Sequence, residues 1–382
     1  MLPIALTLLG LVLLFMVVEA LDVARLRRAL PVRILVIGTR GKTTVTEYIA
    51  AALRASGRRT LAKTTGSRPT LILPDGRTQR LRRTGRARVH EQWHMLRRAH
   101  RLGCDALVLE CMSVSPELQA LESRVIRPTL AVLTNILDDH QEVYGESEAW
   151  RVKMFASSLP ARTELVSGEG SHAEEIRRAA ERCGTTLTVA PSEAVASQRE
   201  PPPSALESNV RLALTSVERL GVSAQEARAA IHTRPELHLY REIATSGDGP
   251  AIRLLNAFAV NDVDSASRFL EMWKHRLSNW ERTLILFNTR SDRPLRSLQF
   301  ARWCASLKDL DAIILMGTHV PRTRRELHRL GVAPHRVTAW TRTQRAHPLE
   351  ALQRFAAPAT VCMGVGNSAG DGSRVLEAAG MI

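Results

Sequence analysis

The chain has 382 residues, 45% of them hydrophobic and 24% charged, so it is long enough for two or three cores and a disordered chain is excluded as the default. Lys and Arg number 53 against 38 Asp and Glu, a net charge of +15, which suits an anionic partner such as a nucleotide, a lipid surface or a polyanionic product, or else a plain solvated basic surface. The five cysteines include no CxxC pair and are odd in number, which argues for a reduced compartment, a cytosolic globular part and no structural zinc.

Leu2 to Leu21 is nearly all apolar, and about 20 such residues in a helix cross a bilayer core. Arg25, Arg27 and Arg28 follow at once, which predicts that the C-terminal side stays cytoplasmic. A cleaved signal peptide fits less well, because no basic region precedes the run and no small-residue cleavage site follows it. The reading is a retained anchor over residues 1–30, with a buried core helix as the other alternative.

Beyond the anchor, strands and helices alternate. Arg33–Ile37, Thr60–Thr64, Ala106–Glu110 and Leu130–Thr134 read as strands, with Thr43–Ala55 and His90–Leu102 as helices between them. Such alternation predicts an α/β fold with a parallel sheet covered on both faces. Pro201-Pro202-Pro203 marks a loop, and a helical pair, Asn209–Leu220 and Ala224–Ile231, follows it. A boundary near residue 233 separates a central P-loop ATPase domain, 31–232, from a smaller Rossmann-like domain, 233–382. In the latter, Ile252–Leu255, Thr283–Phe287, Ala312–Met316, Arg336–Ala339 and Thr360–Met363 read as strands.

The strongest local signal is Gly38-Thr39-Arg40-Gly41-Lys42-Thr43-Thr44 between a strand and a helix. Glycines let backbone amides at a helix start wrap a phosphate, and the helix dipole favours the anion. Lys42 reaches the outer phosphates of ATP and the Thr43 hydroxyl suits Mg²⁺. The longer GxxxxGK[ST] motif wants glycine where Val36 stands, so the loop is a shortened form. Glu110 ends an apolar strand on the ligand-binding edge of such a sheet, where its carboxylate can take the Mg²⁺ of MgATP. Asn135, after the Leu130–Thr134 strand, either reads a base or fixes a loop. His140, with Asp139 beside it, is a candidate metal ligand.

The shortened loop, the strand-end Glu and the Thr134-Asn135…Asp139-His140 segment, in this order, resemble the Mur ligase superfamily, which includes folylpolyglutamate synthetase. Lys63-Thr64-Thr65-Gly66, Asn209 heading a helix, Asn256 to Asp262 and Phe287 to Pro294 extend the resemblance. Within the superfamily the pattern is most similar to the ligase subunit of poly-γ-glutamate synthases (PgsB/CapB type). The anchor, Arg82-Arg83-Thr84-Gly85, His90-Glu91-Gln92, Glu110-Cys111-Met112, Asn288 to Pro294 and Gly364-Val365-Gly366-Asn367 carry that likeness. The chain departs from the family at Val260, where a His is usual, at Asp262, where a Pro is usual, and at Glu142, where an Asp is usual.

The resemblance implies an ATP- and Mg²⁺-dependent amide ligase working through an acyl phosphate and releasing ADP. It implies that Asn261 contacts nucleotide, that Lys153 is either a carbamylated metal ligand or an ordinary surface lysine, and that Arg83, Arg290 and Arg293 are candidates to hold carboxylates. The expected catalytic set is Lys42, Glu110, His140, Lys153 and Arg293, with Thr43, Glu110, His140 and Lys153 toward metal. The implied substrates are glutamate and a growing polyglutamate chain. The implied setting is a single-pass protein of the cell membrane, self-associating and joined to integral-membrane subunits of a synthase and export complex. Two alternatives stand beside this: a Mur or folylpolyglutamate-like ligase for another amino acid or acceptor, and a membrane-bound regulatory P-loop ATPase. Binding of nucleic acid is not expected, since aromatics make up 4% and no DNA-binding motif is present.

Overall fold

A computed structural model of the chain describes residues 2–65, 69–81, 88–137, 147–191, 205–232, 240–244, 250–258, 260, 262–277 and 279–381. The chain divides into two compact units, Met1–Arg234 and Pro235–Ile382.

The first unit begins with α1 (Leu2–Ala29), β1 (Val32–Ile37), α2 (Lys42–Ala55), β2 (Thr60–Thr64), β3 (Thr70–Ile72) and β4 (Thr78–Arg80). It continues with α3 (His90–Arg101), β5 (Ala106–Glu110), α4 (Pro116–Ile126), β6 (Leu130–Leu133) and α5 (Glu148–Ser157). β7 (Glu164–Ser167), α6 (Ala173–Arg182), β8 (Thr186–Val189), α7 (Ala205–Glu218) and α8 (Ala224–His232) complete it. One eight-stranded sheet runs in the order β4-β3-β2-β5-β1-β6-β7-β8. From β2 to β8 every pairing is parallel, while β3 and β4 add an antiparallel hairpin at one edge that the sequence reading did not name.

Both faces of this sheet are covered, which is why its strands read as unbroken apolar runs. Leu35, Ile37, Leu107, Leu109, Ala131 and Leu133 face one core with α3, α4 and α5. Ile34, Val36, Val108, Leu130 and Val132 face the other with α2, α7 and α8. Asn209, expected to head its helix, lies in the second turn of α7 because that helix begins at Ala205.

Two stretches of α1 differ. Large apolar side chains from Leu2 to Leu21 are exposed, and among the described residues α1 is the one helix long and apolar enough to cross a membrane. Its last turns belong to the unit's own core. Leu26 and the following Leu30 are buried, and Asp22 pairs with Arg97 of α3 at 2.9 Å. The Arg27 guanidinium donates to Val125 O and Arg124 O at the end of α4. Arg33 of β1 donates to Arg127 O and Ile126 O, and to Arg27 O and Leu30 O.

The second unit contains β9 (Tyr240–Ile243), β10 (Ile252–Asn256), α9 (Val263–Arg276), β11 (Arg282–Thr289), α10 (Pro294–Ser306), β12 (Ala312–Gly317) and α11 (Val320–Arg329). β13 (Val337–Ala339), α12 (Arg342–Ala346), α13 (Pro348–Gln353), β14 (Thr360–Val365) and α14 (Asp371–Ala378) follow. Its six-stranded sheet runs β13-β12-β11-β14-β10-β9, parallel except for β9. Apolar cores again lie on both faces, so the unit is a layered α/β domain of Rossmann-like kind.

Candidate active site

In the first unit, the C-terminal ends of β1, β5, β6 and β2 converge. The phosphate loop leaves β1 with Gly38 at φ 124° and enters α2 through Gly41 at φ 76°. A side chain at either position would be strained and would also collide, at Gly38 with the Thr134 hydroxyl and at Gly41 with the Asn209 amide. Thr39 N donates to Asn135 O at 3.0 Å, Thr39 Oγ1 to Asn135 Oδ1 at 2.7 Å, and Arg40 N to Asn135 Oδ1 at 3.1 Å. Asn135 Nδ2 returns a bond to Arg40 O at 3.3 Å. Of the two roles weighed for Asn135, holding the loop is the one made by these bonds. Lys42 Nζ donates to Gly38 O at 2.7 Å and Thr39 O at 3.0 Å, at the mouth of the loop. Thr44 lies half-buried on the first turn of α2.

Glu110 is buried at the end of β5. Its Oε2 accepts from Thr43 Oγ1 at 2.9 Å and from Thr65 N at 2.6 Å. A hydroxyl and a carboxylate side by side at a helix start beyond a phosphate loop are hard oxygen donors suited to Mg²⁺. Among the described residues there is no cluster of three or more His, Cys, Asp or Glu that would hold a metal ion. The donor set therefore fits a cation that takes part of its coordination from substrate phosphates, as Mg²⁺ commonly does. Cys111, the next residue, is no nucleophile: full burial, then the Glu122 charge, hold its thiol well above the ordinary range.

Two further buried carboxylates stand behind this edge, and the sequence reading named neither. Glu122 of α4 accepts from Ser113 N at 2.9 Å and from the Ser113 hydroxyl, and takes Gln92 Nε2 at 2.5 Å. Glu169 accepts from Ile136 N at 2.8 Å and Ser171 N at 2.8 Å. Each pins the backbone just beyond a residue of the site, Glu122 beyond Glu110 and Glu169 beyond Asn135.

Lys153 is exposed on α5, its ammonium 5.4 Å from the Trp150 ring, and no described contact joins it to Glu110. His140, Arg83 and Asn261 lie outside the described residues.

In the second unit the strand ends gather a different set. Asn288 is buried at the end of β11 and donates to Asn367 O at 2.6 Å and Ala369 O at 2.8 Å, latching β11 to the loop after β14. Arg290 chelates Asp292, with Nε to Oδ1 at 2.7 Å and Nη2 to Oδ2, and also reaches Asn367 Oδ1 at 3.2 Å. This holds the Asp292 carboxyl below its ordinary range. Arg293 precedes α10 and its carbonyl accepts from Ser297 N at 3.2 Å. Asp371 is buried and accepts from Gly317 N at 3.1 Å, Arg345 at 3.3 Å and Arg374 at 2.9 Å.

Residues 36–188 match the Mur ligase middle domain, and residues 242–380 match the poly-gamma-glutamate synthase CapB C-terminal domain. The chain belongs to the Mur ligase superfamily. Mur ligases are ATP-dependent enzymes that form amide bonds. The chain is 27% identical over 295 residues to the capsule biosynthesis protein CapB of Bacillus anthracis, covering 76% of this chain and 64% of that protein. It is 28% identical over 298 residues to the PGA synthase CapB of Bacillus subtilis (strain 168), covering 76% of this chain and 75% of that one. Its fold is that of folylpolyglutamate synthases. It superposes on E. coli FolC in complex with ADP with a TM-score of 0.65 at 16% identity, covering 93% of this chain and 91% of that one. The Mycobacterium tuberculosis folylpolyglutamate synthase complexed with ADP and AMPPCP gives a TM-score of 0.65 at 17% identity, covering 91% of each chain.

Set against that family, one departure has a local reason. Asp262, where a Pro is usual, caps α9, its Oδ1 accepting from Ser265 N at 2.8 Å. Glu122 has no apolar-stripe signal in the sequence. Gln119, Glu122, Ser123 and Ile126 share the inward stripe of α4, while Leu118 and Leu121 face out.

Proposed function

We propose that this Mur ligase is an ATP-dependent ligase that adds glutamate to a polyglutamate chain through an acyl phosphate, releasing ADP and phosphate. What carries the reading is the Thr43–Glu110–Thr65 arrangement beside Lys42, a MgATP-type edge, in a chain whose second unit matches the CapB C-terminal domain. The Bacillus relatives are named as a capsule biosynthesis protein and a PGA synthase, which supports glutamate as the monomer.

In this reading a carboxylate oxygen of the acceptor attacks the γ-phosphorus of ATP and ADP leaves. The incoming amine then attacks the acyl carbon, loses its proton and displaces phosphate. The loop amides and Lys42 bind and orient the phosphates and balance charge as it moves onto the leaving oxygen. Thr43 and Glu110 would hold Mg²⁺, which when bound supplies neutralisation of the phosphate oxygens. Lys153 and His140 are proposed as further metal-side residues, Asn261 as a nucleotide contact, and Arg83, Arg290 and Arg293 as carboxylate contacts. Arg290 would have to exchange Asp292 for such a carboxylate.

The test is product analysis after reaction with ATP, Mg²⁺ and glutamate, with Lys42→Ala as control. Polyglutamate with stoichiometric ADP is expected. ADP formed only with a different amino acid moves the reading to another Mur-type substrate, and AMP excludes acyl-phosphate chemistry.

The same proposal places the protein in the cell membrane by one span, with both units on the cytoplasmic side and integral-membrane subunits as partners. Removing residues 1–21 should release the chain from membranes and leave its Tm nearly unchanged. Removing residues 1–30 also strips buried Leu26 and Leu30, which together stabilise by about 3–6 kcal/mol, and should lower the Tm or prevent folding. Equal membrane recovery of the 22–382 chain and the full chain would sink the anchor.

A further inference from the structure

The Glu110 carboxylate is held from two directions, and both lead back to one buried chain of side chains. On one side, Thr65 N donates to Glu110 Oε2, and Thr65 directly follows β2, whose Lys63 is fully buried. On the other, the backbone that carries Glu110 out of β5 is tied down by Glu122. Glu122 Oε1 accepts from the amide and hydroxyl of Ser113, and its Oε2 accepts from Met112 N at 3.4 Å and Gln92 Nε2 at 2.5 Å. Gln92 joins the two sides. Its Oε1 accepts from Lys63 Nζ at 3.0 Å, and its Nε2 also approaches Glu110 O at 3.5 Å. Lys63 pairs as well with Glu91 at 3.4 Å.

Lys63 and Glu122 are thus opposite buried charges bridged by one amide, and only one orientation of that amide serves both. Aliphatic side chains would fill such space at no greater cost, so stability alone does not call for this network. What the network supplies is direction. It ends on the backbone of Glu110, Met112 and Ser113, and on the strand that presents Thr65 N. Mg²⁺ demands near-ideal ligand placement, and partners behind the ligands commonly set its affinity.

We infer that Glu122, acting through Ser113, Gln92 and Lys63, is a positioning residue that sets the Glu110 carboxylate for the divalent cation of the bound nucleotide. The inference rests on the proposed role of Glu110 and Thr43 as metal-holding groups.

The test measures Mn²⁺ binding by electron paramagnetic resonance to the full chain in detergent, saturated with a non-hydrolysable ATP analogue. Glu122→Gln keeps the shape and puts donors against donors, and should weaken Mn²⁺ about tenfold while nucleotide affinity without metal stays unchanged. Glu110→Gln should weaken Mn²⁺ at least as much, and the double variant no further than Glu110→Gln alone. Ser113→Ala, at a half-buried site, should act in the same direction by less, and it carries the test if Glu122→Gln does not fold.

Mn²⁺ affinity unchanged in folded Glu122→Gln, or in Ser113→Ala, overturns the inference. So does a fully additive double variant, which would mean that Glu122 acts elsewhere. If Glu110→Gln acts and Glu122→Gln does not, only this inference falls. If Glu110→Gln has no effect on Mn²⁺, the metal reading falls with it.

Discussion

The two sheets present their C-terminal strand ends in opposite ways. In the first unit the edge is built toward a ligand. Two positive-φ glycines open the phosphate loop, Lys42 lies at its mouth, and Glu110 is buried with its carboxylate beside the Thr43 hydroxyl. In the second unit the edge is built toward itself. Asn288 latches β11 to the loop after β14, Arg290 is engaged by Asp292, and Asp371 gathers two arginines and a backbone amide. The same strand-end position thus carries a phosphate-loop arrangement in one unit and a web of ion pairs and loop latches in the other. The difference is in the kind of partner: Lys42 and Glu110 bond to neutral loop and helix-start groups, whereas Arg290 and Asp371 are held by opposite charges.

Substitutions can break that contrast. Lys42→Ala should have the largest effect, lowering the rate of ADP formation by about 10²–10³-fold with Tm retained, since its bonds are to its own loop. Equal loss of Tm and rate would erase the distinction. Asn288→Ala should do the reverse, lowering the Tm by the equivalent of about 1–3 kcal/mol, because the Asn367 and Ala369 carbonyls lose their buried donor. Differential scanning calorimetry reads this directly.

Asp292→Asn should cost least, below about 1 kcal/mol, as expected of an exposed ion pair. Its effect should depend on pH. The Asp292 carboxyl is held low by its bonds to Arg290, so its stabilisation is present above the ordinary carboxylate range and disappears as pH falls through the lowered value. The gap in Tm between wild type and Asp292→Asn should therefore close in acid. A gap that is constant with pH would show that Arg290 does not depend on the charge of Asp292.

The phosphate loop was legible because all its information is local: two glycines, a lysine and a threonine between an apolar strand and a helix. β1, β5 and β6 were legible because burial on both faces makes them unbroken apolar runs. The β3–β4 hairpin was not, because its strands have three residues each and all of β4 is exposed, leaving no periodic signal. α4 misleads in the opposite sense. Leu118 and Leu121 suggest the buried face, yet Gln119 and Glu122 occupy it. The partners that make this affordable, Gln92 and Lys63, come from other elements far along the chain, where no local pattern can announce them. Glu169 was hidden in the same way, since its partner Ile136 lies beyond a different strand.

The joint between α1 and β1 has a mechanical consequence. Only Leu30 and Pro31 separate the helix from the strand, and Arg33 ties the Arg27 and Leu30 carbonyls at the helix end to those of Ile126 and Arg127 at the end of α4. β1 then runs six residues, roughly 20 Å, straight to Gly38. There is no slack along this path. A pull applied to the end of α1 therefore bears on a strand in the middle of the first sheet, at whose far end the phosphate loop begins.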